Sequence, residues 1–197
     1  MSRVIMKKIK RQILNRWPCF NVVDSTYFFH QSYKNIASGF CLEKTPTTLY
    51  VWKIMYPLFD PRTRLHLTYS DRIGHIDEGD DILESLSELL EEENIFEFYN
   101  VPTDRFIEYL TNREGGLSNS FVRRVVAIGL YLENKNQDAL ETLRPLLSCK
   151  AYSNQESFRE VVDTMIYKLE QGEDLWPTIN QWERANRELL ESRTIQQ

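Results

Sequence analysis

The sequence predicts an α+β fold: an N-terminal helix and a small antiparallel sheet of three or four strands, followed by a C-terminal layer of five or six helices. Three observations lead there. Strand-like stretches, alternating or continuously apolar, cluster between residues 20 and 70. Apolar residues at helical spacing dominate from residue 82 onward. The two kinds of pattern are segregated along the chain rather than alternating as βαβ units would. At 197 residues, 42% hydrophobic and 12% aromatic, the chain has enough apolar material for one sizeable domain or two small ones.

Residues 3–16 open with a helix. Ile5, Ile9 and Ile13 recur at four-residue spacing with Met6 and Trp17 beside them, while Arg3, Lys7, Lys10 and Arg11 take the opposite side. Pro18 ends it, because the residue before proline avoids the α region. Residues 20–31 follow as extended chain with a turn at Asp24-Ser25, and residues 36–44 as a strand closed by Thr45-Pro46. From Tyr50 to Leu58 both faces are apolar apart from Lys53, as in a strand flanked inside a sheet. Asp60-Pro61-Arg62-Thr63 has type I turn chemistry. It predicts a hairpin whose returning strand places Leu65, Leu67 and Tyr69 inward and Arg64, His66 and Thr68 outward.

After Gly74 the period changes. Ile82, Leu83, Leu86, Leu89 and Leu90 form a helical stripe, with Asp81 as N-cap and Glu84 completing a capping box. Further helices are expected at 103–112 (Thr103 as N-cap), 119–133 (Ser118 as N-cap), 137–149, 155–171 and 174–193. This switch sets a boundary between a basic sheet lobe, residues 1–74, and a helical lobe, residues 75–197, that starts acidic. Residues 121–147, with Ala127, Tyr131 and Ala139 near the positions where that repeat puts small and aromatic side chains, resemble one tetratricopeptide unit. The resemblance implies a repeat-like helical hairpin. It covers this stretch alone, and arrays of such repeats need about three units or more to be stable.

Signals of chemistry are sparse. There is no Gly-x-Ser-x-Gly elbow, no phosphate-cradling Lys loop and no dinucleotide glycine fingerprint. Cys19, Cys41 and Cys149 are too few and too scattered for a disulfide framework or a thiolate zinc site. The segment His75-Ile76-Asp77-Glu78-Gly79-Asp80-Asp81 gathers carboxylates around an imidazole, but it lacks a calcium loop's ligand spacing and reads as an acidic helix entrance. No cofactor, metal site or catalytic residue is expected. Were an enzyme site dispersed through the fold, His66 and His75 would be the first side chains to inspect. The N-terminal stretch lacks a secretory signal's apolar core, no apolar run reaches membrane-span length, and a reducing, cytoplasmic setting is expected.

Charge is the strongest clue. Residues 1–72 carry 12 Lys/Arg against 4 Asp/Glu, a charge of +8; residues 73–114 carry 2 against 13, a charge of −11. Glu91, Glu92 and Glu93 stand where the predicted helix ends and its macrodipole disfavours anions, so something must compensate them. The expected function is therefore a non-enzymatic protein-interaction module, accessory, regulatory or immunity-type, binding a protein partner through charge complementarity and a helical groove. Its candidate surfaces are an acidic face of Glu84, Glu88, Glu91, Glu92 and Glu93, and a basic face of Lys7, Lys8, Lys10, Arg11, Arg62, Arg64, His66 and Arg72. The alternatives are nucleic-acid binding through the basic face, with Tyr27, Tyr50, Trp52 and Tyr56 as stacking groups, and an enzyme with a dispersed site.

Overall fold

The computed structural model describes residues 3–77, 79–97 and 99–194, with the side chains of residues 3–5 outside the description. The fold is α+β. Its sheet has five antiparallel strands rather than the expected three or four, in the sequential order β1 (Phe20–Val23), β2 (Tyr27–His30), β3 (Ile36–Lys44), β4 (Thr48–Pro57) and β5 (Asp71–Asp77). Helix α1 (Arg3–Arg16) precedes the sheet, and α2 (Ile82–Glu92), α3 (Thr103–Asn112), α4 (Ser120–Leu132), α5 (Asn136–Leu143), α6 (Lys150–Asn154), α7 (Glu156–Gln171) and α8 (Trp176–Arg193) follow it. None of them is long and apolar enough to cross a membrane.

The chain forms two compact units. The first comprises Met1–Tyr56, Tyr69–Val101 and Glu188–Gln197; the second comprises Pro57–Thr68 and Pro102–Arg187. The division at 74/75 follows the change of period from strand to helix. The units instead keep α2 with the sheet, because its stripe packs there.

In the first unit, the register sets Val22 opposite Phe28, Phe28 opposite Phe40 and Leu49 opposite Ile76, so these side chains share one face. Met6, Ile9 and Ile13 of α1 and Leu86 and Leu90 of α2 pack in the same core. The Ile5 and Arg3 side chains of the expected stripe and its opposite side lie outside the described residues. The Phe28 and Phe40 rings stack at 4.5 Å. Asp24 and Ser25 both have positive φ, +48° and +67°, and with Thr26 they form the three-residue turn between Val23 and Tyr27 that makes two strands of the expected 20–31 segment. Strand β4 lies between β3 and β5, as its two apolar faces require.

The expected hairpin across Asp60–Thr63 is corrected. β4 pairs with Asp71–Asp77, with a register shift between Val51 and Trp52, and residues 58–70 form no strand. The loop's backbone groups find side-chain partners instead of a ladder. Asn186 Nδ2 donates to Leu58 O (2.7 Å) and Asp60 O (2.8 Å), and Arg113 Nη1 donates to Thr68 O (3.2 Å).

In the second unit the helices follow the predicted periodicity, with corrections at their ends. Asn119, not Ser118, caps α4, its Oδ1 accepting from Phe121 and Val122 N–H. Pro102 precedes α3, and Thr103 is its buried first residue. The 137–149 helix stops at Leu143 and tightens into a 3₁₀ turn over Arg144–Ser148, since Pro145 cannot donate to an α ladder. With the extra short helix α6, seven helices follow the sheet among the described residues, rather than five or six. In the α4–α5 hairpin Ala127 and Ala139 are fully buried.

Candidate functional site

The acidic face is partly answered within the first unit. Glu84 lies 3.5 Å from Arg16, and Arg16 also donates to Ser87 Oγ, which donates to Glu91 (2.9 Å). At the end of α2, Lys53 Nζ reaches both the carboxylate of Glu93 (3.3 Å) and its main-chain oxygen (3.2 Å). A half-buried ammonium thus meets the negative pole of the helix as well as one of the three glutamates gathered there. Glu88 and Glu92 remain exposed. Such surface pairs are worth about 0–1 kcal/mol each. Glu84 and Glu93 thus have cations beside them, and Glu91 a hydroxyl donor.

The basic face divides between the units. Lys7, Lys8, Lys10, Arg11 and Arg72 belong to the first; Arg62, Arg64 and His66 belong to the second. Arg72 lies over the Tyr50 ring at 5.0 Å, and Arg64 is exposed. Arg62 and His66 turn inward to Asp60, which is fully buried.

Asp60 is the centre of the second unit's polar interior. Its carboxylate accepts from Arg62 (2.9 Å), His66 Nε2 (3.1 Å) and Arg124 Nη2 (3.2 Å). Burial alone would raise its pKa; the His66 hydrogen bond and the charges of Arg62 and Arg124 outweigh that and hold it far below the usual range. His66 Nδ1 accepts from Thr68 N–H (3.3 Å), so Nε2 carries the proton donated to Asp60 and the ring works neutral. Its pKa is lowered accordingly, chiefly by burial. A saturated carboxylate and a neutral, doubly bonded imidazole organise a loop; neither is poised to move a substrate proton.

The first unit contains a groove of about 1040 Å³ beside α1. Met6, Lys10 and Leu14 follow one another at four-residue spacing on one row of the helix, with Lys7 and Arg11 on the adjacent row. Opposite stand Val22, the Ser25-Thr26 turn and Lys44. Met6, Leu14 and Val22 make an aliphatic floor; Lys7, Lys10, Arg11 and Lys44 surround it, and among the described residues no carboxylate lines it. Lys7 and Arg11 are exposed. This arrangement suits a ligand with anionic groups along an apolar body.

The expected stacking aromatics lie elsewhere. Tyr56 is buried, Tyr27 stacks on Phe29, and Trp52 Nε1 donates to Glu43 (2.9 Å). Among the described residues no three His, Cys, Asp or Glu side chains gather to hold a metal; His75 pairs only loosely with Asp77 (3.8 Å), and Glu78 lies outside them. Burial pushes the Cys41 thiol up to about 12, so it is no nucleophile at neutral pH. Sequence reasoning missed Asp60, Arg124 and Asn186 as a buried polar set, and Leu14, Val22 and Lys44 as groove residues. Leu14 offered a signal, being apolar one position beyond the Ile9–Ile13 stripe. No protein-family model, curated protein or solved structure matches this chain.

Proposed function

We propose that this chain is a non-enzymatic protein-binding module whose α1 groove takes an acidic, amphipathic segment of a partner. The supporting observation is the composition of the groove: four cations around an aliphatic floor, with no acid among the described residues of the lining. Acidic side chains of the partner meet Lys7, Lys10, Arg11 and Lys44 while its apolar side chains rest on Met6, Leu14 and Val22. Charge governs encounter and register, and the floor supplies the apolar burial. The groove replaces the acidic stripe as the leading surface, since Arg16 and Lys53 already answer part of that stripe. The tetratricopeptide-like hairpin supports a helical scaffold in the second unit, but its small residues are spent on packing.

Nucleic acid is the second reading and fits less well. Its phosphates suit the same cations, yet the floor has no aromatic face for bases to stack on.

The test uses a fluorescently labelled helical peptide with glutamates on one side and leucines on the other, alongside a single-stranded oligonucleotide. The peptide is expected to bind with marked salt dependence, and Lys7→Glu/Arg11→Glu to weaken it at least about tenfold with an unchanged circular dichroism spectrum. Peptide binding unmoved by that double variant removes the groove from the reading. Tighter binding of the oligonucleotide, lost in the same variant, transfers the surface to nucleic acid.

A further inference from the structure

A second concavity, of about 400 Å³, lies wholly within the second unit, and neither the charge map nor the groove accounts for it. Three arginines line it, Arg62, Arg64 and Arg124, and among the described residues no carboxylate does. They reach it from separate segments, the 57–68 loop and helix α4, while the start of α7 closes it with Gln155 and Ser157. Asp60 stands behind the lining. It fixes Arg62 and Arg124 by hydrogen bonds and shares one negative charge among Arg62, Arg124 and the neutral His66. The two guanidiniums are held further by rings: Arg62 over Phe121 at 4.6 Å and Arg124 over Phe158 at 4.8 Å. Their side chains are only 13% and 3% exposed, so they are fixed in place before any ligand arrives.

From this geometry we infer that the second unit carries a phosphate-binding site, accepting the phosphoryl group of a small phosphate monoester or free phosphate. Donor-bearing residues lining it from three segments suit a tetrahedral dianion, whereas a planar carboxylate is satisfied by a single guanidinium fork. Arg64, exposed at the rim, is the mobile partner that meets the anion; Ser157 Oγ and the Gln155 amide are the neutral donors across from it. A cavity of this size falls at the small end of ligand sites and leaves room beside the phosphoryl group for what carries it.

The experiment is an amide NMR titration of the full chain with inorganic phosphate and, separately, with O-phosphoserine, at constant ionic strength and pH. Saturable shifts at Arg64, Phe121, Gln155 and Ser157 are expected. Arg64→Ala and Ser157→Ala, both at exposed positions that spare the Asp60 set, are each expected to weaken binding several-fold, and together at least about tenfold. Lys7→Glu/Arg11→Glu, in the other unit, is expected to leave it unchanged. Tighter binding of phosphoserine assigns the remaining space to the carried group; equal binding assigns the site to free phosphate. Shifts that rise without saturating, or saturable shifts indifferent to Arg64 and Ser157, overturn the site.

Discussion

Asp60 shows what one buried charge does to a loop. Fully enclosed, it is tolerated because two arginines and a histidine converge on it, and its own backbone oxygen is taken by Asn186. Asp60→Asn keeps the shape but removes the charge, leaving Arg62 and Arg124 without their buried counter-ion. The expected cost is about 3–5 kcal/mol, measured as a fall in the unfolding free energy by urea denaturation. His66 gives the second residue-level prediction. Its folded pKa lies below the ordinary 6.5, so the unfolded chain binds the proton more readily. The stability it contributes is complete above that ordinary value and is lost as pH falls through the folded one. His30, also lowered chiefly by burial, acts in the same direction. Unfolding free energy is therefore expected to decline as pH drops below about 6.5, and less steeply in His66→Gln, whereas the Asp60 contribution persists until the pH reaches the ordinary carboxylate range. An identical slope in variant and parent would show that His66 does not titrate differently on folding.

At the scale of elements, the strands and helices that bury a regular stripe were legible. Strand β3 spans the predicted 36–44, and α1 spans the predicted 3–16. Asp81 caps α2 as expected, accepting from Leu83 and Glu84 N–H, although the Glu84 carboxylate turns to Arg16. The misread segment was 64–70. Leu65, Leu67 and Tyr69 alternate like a strand, but alternation says nothing of where Asn186 and Arg113 will be, and these meet the loop's carbonyls from 45 to 128 residues away. Gly39 marks a constraint of the opposite kind, a close approach no local pattern reveals. A Cβ there would overlap the Phe28 carbonyl on the neighbouring strand. Gly39→Ala is expected to cost about 1–3 kcal/mol, seen as a lowered Tm. Unchanged melting would mean that β2 and β3 can separate locally without loss.

For the molecule as a whole, the sequence shows the segregation of charge, and the structure shows what some of those charges touch. The +8 and −11 segments do not separate into two bodies of the fold. Instead α1 and α2 pack in one core, Arg16 and Lys53 answer some of the acids, and Arg62 and His66 leave the basic surface for a buried carboxylate in the other unit. Of the basic face, Lys7, Lys10 and Arg11 line the α1 groove, while Arg62 and Arg64 line the cavity of the second unit.

The sequence by itself determined the fold class, the period of most stripes, the turn at Asp24-Ser25 and the overall charge, because these depend on composition and on neighbours within a turn or a strand. Only the tertiary structure decided which strand pairs with β4, which cations stay at the surface and which residues line each cavity. Those outcomes rest on groups far apart in the chain, and a buried charge or carbonyl takes whichever partner the packing brings within hydrogen-bond reach.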